Sequence, residues 1–164
     1  AADVEAVPGA VSVHEQRGDG LGARMLQAFR DVLSHGYARA AVVGTDHPTL
    51  PSAFVEQSFA TLDAERAVCI GPSKDGGFYL LGMTAVYPQL FDGMTYSHED
   101  VFADTLARVG RTDARLTVLP PWYDVDTPAA LQRLIDDLST TDVAAPRTRA
   151  LVQRLDLQRL SQFE

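Results

Sequence analysis

The sequence predicts an α/β fold in which helices pack on a mostly parallel β-sheet. Two observations predict it. Short apolar runs typical of buried strands alternate along the chain with longer segments in which apolar residues recur at helical spacing. The chain also has 164 residues, of which 46% are hydrophobic, and this suits one globular domain with a buried core.

The first part of the chain contributes two strand–helix pairs. Residues 9–15 alternate enough to form a strand, and residues 21–36 carry apolar side chains at helical spacing. The apolar run at 38–43 is typical of a buried strand. A helix over 51–63 follows, and Pro51 suits its first turn because that turn leaves amide hydrogens unpaired and proline has none.

The middle of the chain contributes two strands and a helix. Residues 66–71 and 77–82 are apolar runs separated by a Gly-containing turn. Residues 97–110 have the pattern of an amphipathic helix. Ser97 and Asp100 have the spacing of a capping box at its start.

A strand over 114–120 and a helix over 127–138 complete the predicted sheet domain. Thr127 suits the N-cap of this helix because its hydroxyl can accept a hydrogen bond from an unpaired amide. We expect one domain over residues 1–139. Residues 140–164 are expected to contain a connector and an amphipathic helix, which packs on this domain or, alternatively, on a partner.

The charge balance bears on the possible partners. The net charge is −8, with 22 acidic and 14 basic residues and no stripe of Lys or Arg, so nucleic-acid binding is not expected. No apolar stretch approaches the length of a membrane span. Cys69 is the one cysteine and lies in an apolar run, so we expect a buried thiol and a cytoplasmic protein. The sequence does not specify an oligomeric state.

Acidic loops follow three of the predicted strands. Asp46, Asp75 and the pair Asp124 and Asp126 lie in these loops, each with Gly or Pro nearby. Because ligands of α/β sheets bind beyond the carboxyl ends of the strands, we expect these carboxylates to converge. Carboxylates gathered without Lys or Arg repel one another unless a cation lies among them. Mg²⁺ or Mn²⁺ suits this role, since hard cations prefer oxygen ligands and leave positions for phosphates.

Each of these residues has a simpler interpretation. Asp46 and Asp75 are of a type that stabilises turns, and Asp126 could help to cap the following helix. Trp122 and Tyr123 could stack on a base or a sugar, but packing is the commoner role of aromatic side chains. The metal prediction therefore depends on the recurrence of acidic loops at one end of the sheet.

A second candidate site lies before the first long helix. Gly18, Gly20 and Ala23 match the Gly-x-Gly-x-x-Ala pattern of dinucleotide-binding turns, and Asp46 ends the next strand. This pattern makes an NAD(P)-dependent oxidoreductase the less favoured alternative. The polar residues 14–17 separate the pattern from the preceding strand, and the pattern leaves the other acidic loops unexplained.

Four segments carry a family resemblance: GDGLGARM, GTDHPTL, GPSKDGGFYLLG and DVDTPAAL. Their combination in this order is specific, whereas any one of them alone is not. Through them the chain, from about Gln16 to Leu131, resembles the DUF2064 group of the nucleotide-diphospho-sugar transferase superfamily, also called radical-SAM/selenodomain-associated transferases. The resemblance implies a GT-A fold, which is a three-layer sandwich with a nucleotide-binding sheet and a divalent metal. It also implies transfer of a glycosyl or a nucleotidyl group, from a nucleotide sugar or an NTP, to a small acceptor.

The resemblance also implies roles for individual residues. Asp46 and Asp126 match positions that bind the Mg²⁺ or Mn²⁺ ion, and Asp75 matches the loop beside the acceptor hydroxyl, so these three are the expected catalytic residues. The expected nucleotide-binding residues are Gln16, Asp19, Leu21, Gly22 and Thr45. The expected acceptor-side residues are Gly76, Gly77 and Asp124.

The chain departs from the family pattern in three ways. Asp19 is displaced by one position, and His47 stands where a smaller residue is usual. The superfamily begins with a strand and a loop of Gly, Arg and Lys that wraps the nucleotide phosphates, and this sequence lacks that pattern. We therefore expect the N-terminal strand and phosphate loop to be missing, and a nucleotide-binding module without turnover is the alternative to a transferase.

Overall fold

The computed structural model describes residues 13–140 and 145–155. Its strands are β1 (Ala40–Val43), β2 (Ala67–Pro72), β3 (Phe78–Met83) and β4 (Arg115–Val118). Its α-helices are α1 (Leu21–Ser34), α2 (Ser52–Thr61), α3 (Val101–Val109), α4 (Pro128–Thr140) and α5 (Pro146–Leu155), and a 3-10 turn spans Pro88–Leu90. In these two ranges, no helix has the length and apolar character needed to cross a membrane. The elements confirm the predicted α/β fold.

The four strands form one mixed sheet in the order β1-β3-β2-β4. Three strands, β1, β2 and β4, run in the same direction, whereas β3 lies antiparallel between β1 and β2. The direction of β3 follows from its connection, because the short loop at residues 73–77 returns the chain beside β2 as a hairpin. The three co-directional strands therefore end at one edge, the carboxyl end of the sheet, and begin at the other, the amino end.

Apolar side chains cover both faces of the sheet. Val68 and Ile70 of β2 belong to one cluster, whereas Ala67 and Cys69 belong to another, because alternate residues of a strand point to opposite faces. The first cluster includes residues of α1 and α3, and the second includes residues of α2. Three layers result, and Cys69 is fully buried as expected.

The last two helices share a smaller apolar cluster. Leu134 of α4 packs with Ala145, and Val152 of α5 packs against them. The described part of α5 thus contacts α4. The start of α4 is as predicted, since the amide of Ala130 donates a hydrogen bond to Oγ1 of Thr127 at 3.1 Å.

Three local expectations need correction. Of the predicted strand 9–15, residues 13–15 are irregular, and the others lie outside the described residues. Ser97 and Asp100 form no capping box, because Ser97 adopts a left-handed backbone (φ 67°) and no side chain caps α3. Pro51 stands immediately before α2 rather than within its first turn.

Candidate active site

The carboxyl end of the sheet opens onto a cleft with a volume of about 760 Å³. The loops that follow β1, β2 and β4 line this cleft, and so does the beginning of α1. The predicted site residues that line the cleft are Gln16, Leu21, Thr45, Asp46, Asp75, Gly77, Asp124 and Asp126. The predicted site residues that do not line it are Asp19, Gly22 and Gly76. The structure therefore brings the acidic loops together, as their positions after co-directional strands require.

Hydrogen bonds join these loops to one another. The amide of Val125 donates to the carbonyl oxygen of Asp46 at 2.9 Å, which ties the loop after β4 to the loop after β1. The hydroxyl of Ser73 donates to Oδ1 of the buried Asp124 at 3.0 Å, which ties the loop after β2 to the loop after β4. The three loops thus form one connected floor of the cleft.

Asp46 is placed beside a buried histidine. The side chain of Asp46 is 55% exposed and that of His47 only 5%, and Nδ1 of His47 lies 2.8 Å from Oδ1 of Asp46. Gly44 leaves room for this contact, because a Cβ atom there would lie 2.9 Å from Oδ1 of Asp46 and 3.1 Å from Cε1 of His47. The loop therefore presents the carboxylate to the cleft and buries the imidazole.

Asp75 has the geometry of a turn residue and also lines the cleft. Its Oδ1 accepts a hydrogen bond from the amide of Gly77 at 2.9 Å, and its side chain is exposed. The structure therefore agrees with the simpler interpretation of Asp75 as a turn residue. The second carboxylate oxygen still faces solvent, so a ligand in the cleft can reach it.

The cleft carries an excess of negative charge. Among its described lining residues, the carboxylates are those of Asp46, Asp75, Glu99, Asp124 and Asp126. The guanidinium of Arg24 is the one Lys or Arg charge in the same set. Within the described ranges, neither Asp46 nor Asp126 has a Lys or Arg ion-pair partner. Like charges gathered in this way favour a bound cation.

The carboxylates of Asp46 and Asp126 offer oxygen ligands of the kind that a divalent ion takes. No group of three or more His, Cys, Asp or Glu side chains suited to a metal occurs in the part of the chain that the structure describes. Asp46 and Asp126 would thus supply two carboxylates, and phosphates and water would supply the remaining ligands. Mg²⁺ and Mn²⁺ accept such a mixed set of oxygen ligands.

Residues 96–99 form a wall of the cleft that the sequence did not predict. The ring of Tyr96 lies on Gly22, where a Cβ atom would come within 2.8 Å of it. The backbone of Glu99 lies on Gly76, where a Cβ atom would overlap the Glu99 carbonyl oxygen. Gly22 and Gly76 therefore shape the cleft by allowing this wall to approach. Burial raises the pKa of Tyr96 to about 12, so its phenol stays protonated at neutral pH.

The wall escaped prediction because its placement is a tertiary effect. The left-handed backbone of Ser97 turns the chain into the cleft, and serine has no sequence signal for that conformation. Both ring nitrogens of His98 are used locally, one near the carbonyl oxygen of Thr95 at 3.1 Å and the other accepting from the amide of Asp100 at 3.2 Å. The sequence offered one signal, Gly76, because glycine allows a close approach of another backbone. In the structure, Gly76 has a positive φ of 94°.

Trp122 and Tyr123 pack in the protein and are not among the residues that line the cleft. The Trp122 ring stacks on Tyr123 and meets Phe54 edge-on, with ring centroids 5.6 and 5.7 Å apart. The Tyr123 hydroxyl accepts from Thr49 at 3.1 Å and donates to Asp137 at 2.8 Å. These contacts favour the packing alternative over stacking on a base or a sugar.

The Gly-x-Gly-x-x-Ala pattern lies at the start of α1 without the strand that a dinucleotide turn requires. Residues 13–17 form no strand, and Gly20 immediately precedes the helix. The strand–turn–helix context of dinucleotide binding is therefore absent from the described residues.

Comparisons with known proteins point to one family. The family model "Uncharacterized protein conserved in bacteria (DUF2064)" matches residues 1–98. The chain is also similar to the crystal structure of a "putative nucleotide-diphospho-sugar transferase" from Desulfovibrio desulfuricans G20, with 32% sequence identity and a TM-score of 0.79. The match covers 86% of this chain and 62% of that chain, so this chain spans less than two thirds of the length of the related structure. Among curated proteins, none matches the chain.

Proposed function

The chain belongs to the DUF2064 family, and we propose that it acts as a metal-dependent glycosyltransferase that uses a nucleotide-diphospho sugar and a small acceptor. The observation that carries this proposal is the convergence of Asp46, Asp75 and Asp126 on one cleft at the carboxyl end of the sheet. The similarity to a nucleotide-diphospho-sugar transferase with the same fold supports it.

The donor side of the proposed site is formed by the loops after β1 and β4. Asp46 and Asp126 would bind Mg²⁺ or Mn²⁺, and the ion would neutralise the charge that builds up on the leaving diphosphate. Gln16, Leu21 and Thr45 line the same cleft and would contact the nucleoside. Positioning and charge neutralisation then account for most of the rate enhancement.

The acceptor side is formed by the loop after β2 and by the wall at residues 96–99. The acceptor oxygen would attack the anomeric carbon, the bond from that carbon to the diphosphate oxygen would break, and the acceptor proton would pass to Asp75. The amide of Gly77 holds one oxygen of Asp75, which leaves the second to receive the proton. Tyr96, protonated at neutral pH, can donate a hydrogen bond to the sugar or the acceptor.

A thermal-shift panel of nucleotides and nucleotide-diphospho sugars, each with and without Mn²⁺, tests the proposal. We expect at least one nucleotide-diphospho sugar to stabilise the protein more with Mn²⁺ than without it, because ligand binding to the folded state raises stability by mass action. The absence of metal-dependent stabilisation by any of them would contradict the proposal.

The products then distinguish the remaining functions. Release of a nucleoside diphosphate from the stabilising sugar nucleotide supports glycosyl transfer. Release of pyrophosphate from an NTP instead supports nucleotidyl transfer. Binding with neither product supports a nucleotide-binding module without turnover.

A further inference from the structure

His47 is the buried polar group of the cleft to which the proposed mechanism gives no role. Its side chain is 5% exposed, and it lines the cleft next to Asp46. Within the described residues, neither ring nitrogen has a well-directed hydrogen bond. An unsatisfied buried polar group costs about 1–3 kcal/mol, so packing alone does not account for a histidine at this position.

The nearest polar atom to the imidazole belongs to the Asp46 carboxylate. Nδ1 of His47 and Oδ1 of Asp46 are 2.8 Å apart, which is a hydrogen-bond distance, but the ring N–H and the oxygen are out of line. A small rotation of the exposed carboxylate would align them. The carboxylate has this freedom because its side chain is 55% exposed.

The imidazole itself is fixed by its surroundings. Gly44 lies beside the ring edge, since a Cβ atom there would lie 3.1 Å from Cε1. On another side the ring contacts Tyr79, with centroids 5.8 Å apart. Tyr79 is fully buried, and its hydroxyl donates to the carbonyl oxygen of Pro120 at 3.0 Å. The imidazole is therefore buried against Tyr79, whereas the Asp46 carboxylate is largely exposed.

We propose that His47 is a positioning residue that orients Asp46 toward the metal. Its Nδ1–H donates to Oδ1 of Asp46 and leaves Oδ2 directed into the cleft. This inference rests on the proposed function, because Asp46 is there the metal ligand. Donors behind a ligating carboxylate fix its orientation, and their loss typically weakens metal binding about 10–100-fold.

Three substitutions test the position of the donor. In His47→Asn the side-chain amide can replace Nδ1, in His47→Gln the amide lies one methylene further out, and His47→Ala removes the donor. The measurement is Mn²⁺ binding, followed by the loss of the free-Mn²⁺ electron paramagnetic resonance signal. Mn²⁺ binding is measured without nucleotide and again with one nucleoside diphosphate. That nucleotide is whichever of UDP, GDP, CDP and ADP stabilises the parent most.

We expect His47→Ala and His47→Gln to bind Mn²⁺ about 10-fold more weakly than the parent, and His47→Asn to stay within about 3-fold of it. The control is His35→Ala, which removes an exposed histidine at the opposite end of α1 and should bind as the parent does. Unfolding midpoints without metal separate packing losses from binding losses, because Asn and Gln are polar and similar in size.

The outcomes separate this inference from the function on which it rests. If the parent binds Mn²⁺ and His47→Ala binds it equally well, the positioning role is wrong and the proposed function stands. Equal weakening by Asn, Gln and Ala also overturns the positioning role, since a donor at the Nδ1 position then has no effect. If the parent binds no Mn²⁺ with any nucleotide, the proposed function and the inference both fail.

Discussion

The two ends of the sheet use charge in opposite ways. At the amino end, one arginine precedes β1 and another precedes β2, and both have partners. Arg39, just before β1, donates to the carbonyl oxygen of Phe59 at 2.6 Å and packs over its ring. Arg66, just before β2, pairs with Asp113, which lies shortly before β4. Arg39 and Arg66, the arginines just before β1 and β2, therefore have partners within the fold.

At the carboxyl end, the carboxylates of the same three strands lack such partners. Asp46, Asp75 and Asp126 line one cleft, and none of them has a Lys or Arg ion-pair partner in the described ranges. The two arginines at the amino end thus have partners within the fold, whereas these three carboxylates line the cleft without a Lys or Arg partner in the described ranges.

The largest effect on stability is expected when a methyl group is added at Gly76, in the loop after β2. Gly76 has φ 94°, and a Cβ atom would overlap the carbonyl oxygen of Glu99, so Gly76→Ala should lower the free energy of unfolding by about 3 kcal/mol. Gly36, before β1, has φ 89° and open space around it, so Gly36→Ala should cost about 1 kcal/mol. Urea denaturation measures both. Equal losses would show that the wall at residues 96–99 does not press on Gly76.

The next effect concerns the hydrogen bond that joins two loops of the cleft. Ser73→Ala leaves the buried carboxylate of Asp124 without its donor, so the free energy of unfolding should fall by about 1–3 kcal/mol. The control is Ser34→Ala, which removes an exposed hydroxyl that donates to the carbonyl oxygen of Asp31 and should change stability by less than about 0.5 kcal/mol. A loss for Ser73→Ala no greater than for the control would count against a connected cleft floor.

A smaller effect is expected at alkaline pH. Burial raises the pKa of Tyr79 and of Tyr96 to about 12, above the ordinary value of about 10. Because the folded state keeps these protons longer than the unfolded state, the stabilisation is complete below pH about 10 and is lost as pH rises towards about 12. Denaturation at a series of pH values should show this fall, and Tyr96→Phe should make it shallower. An unchanged slope in Tyr96→Phe would contradict a buried phenol at the cleft.

The smallest effect compares one carboxylate from each end of the sheet. The quantity compared is the unfolding free energy of the ligand-free protein. Asp113→Asn removes an exposed ion pair with Arg66 and should cost up to about 1 kcal/mol, less at high salt. Asp126→Asn removes a carboxylate without a cationic partner and should leave the unfolding free energy unchanged within about 0.5 kcal/mol, or raise it. Thermal unfolding without metal compares the two. A clear loss for Asp126→Asn would mean that this carboxylate serves the fold.

Much of the fold was predictable because it is encoded in local periodicity. The apolar run of β2 predicts a buried strand, and the helical spacing along α1 predicts an amphipathic helix. The structure buries β2 on both faces and buries Met25 and Phe29 of α1. The convergence of the acidic loops was also predictable, since co-directional strands end at one edge of a sheet. The antiparallel β3 follows from a five-residue loop and changes the pairing of the sheet without moving these ends.

The remaining features depend on contacts between distant segments. The wall at residues 96–99 exists because Ser97 turns left-handed and Gly76 admits the backbone of Glu99. The burial of His47 depends on Gly44 and on a ring from another strand. Gly76 signals a close backbone approach but not which segment approaches, and the local pattern at Ser97 predicted the start of a helix instead.

The most direct test of the account is a calorimetric titration of Mn²⁺ and the best-binding nucleoside diphosphate into three proteins. These are the parent, Asp46→Asn at the carboxyl end, and Asp113→Asn at the amino end. The account predicts saturable, Mn²⁺-dependent binding to the parent and to Asp113→Asn, and no saturable binding to Asp46→Asn. Binding to Asp46→Asn as tight as to the parent would contradict the claim that the carboxyl-end carboxylates hold a metal and a nucleotide.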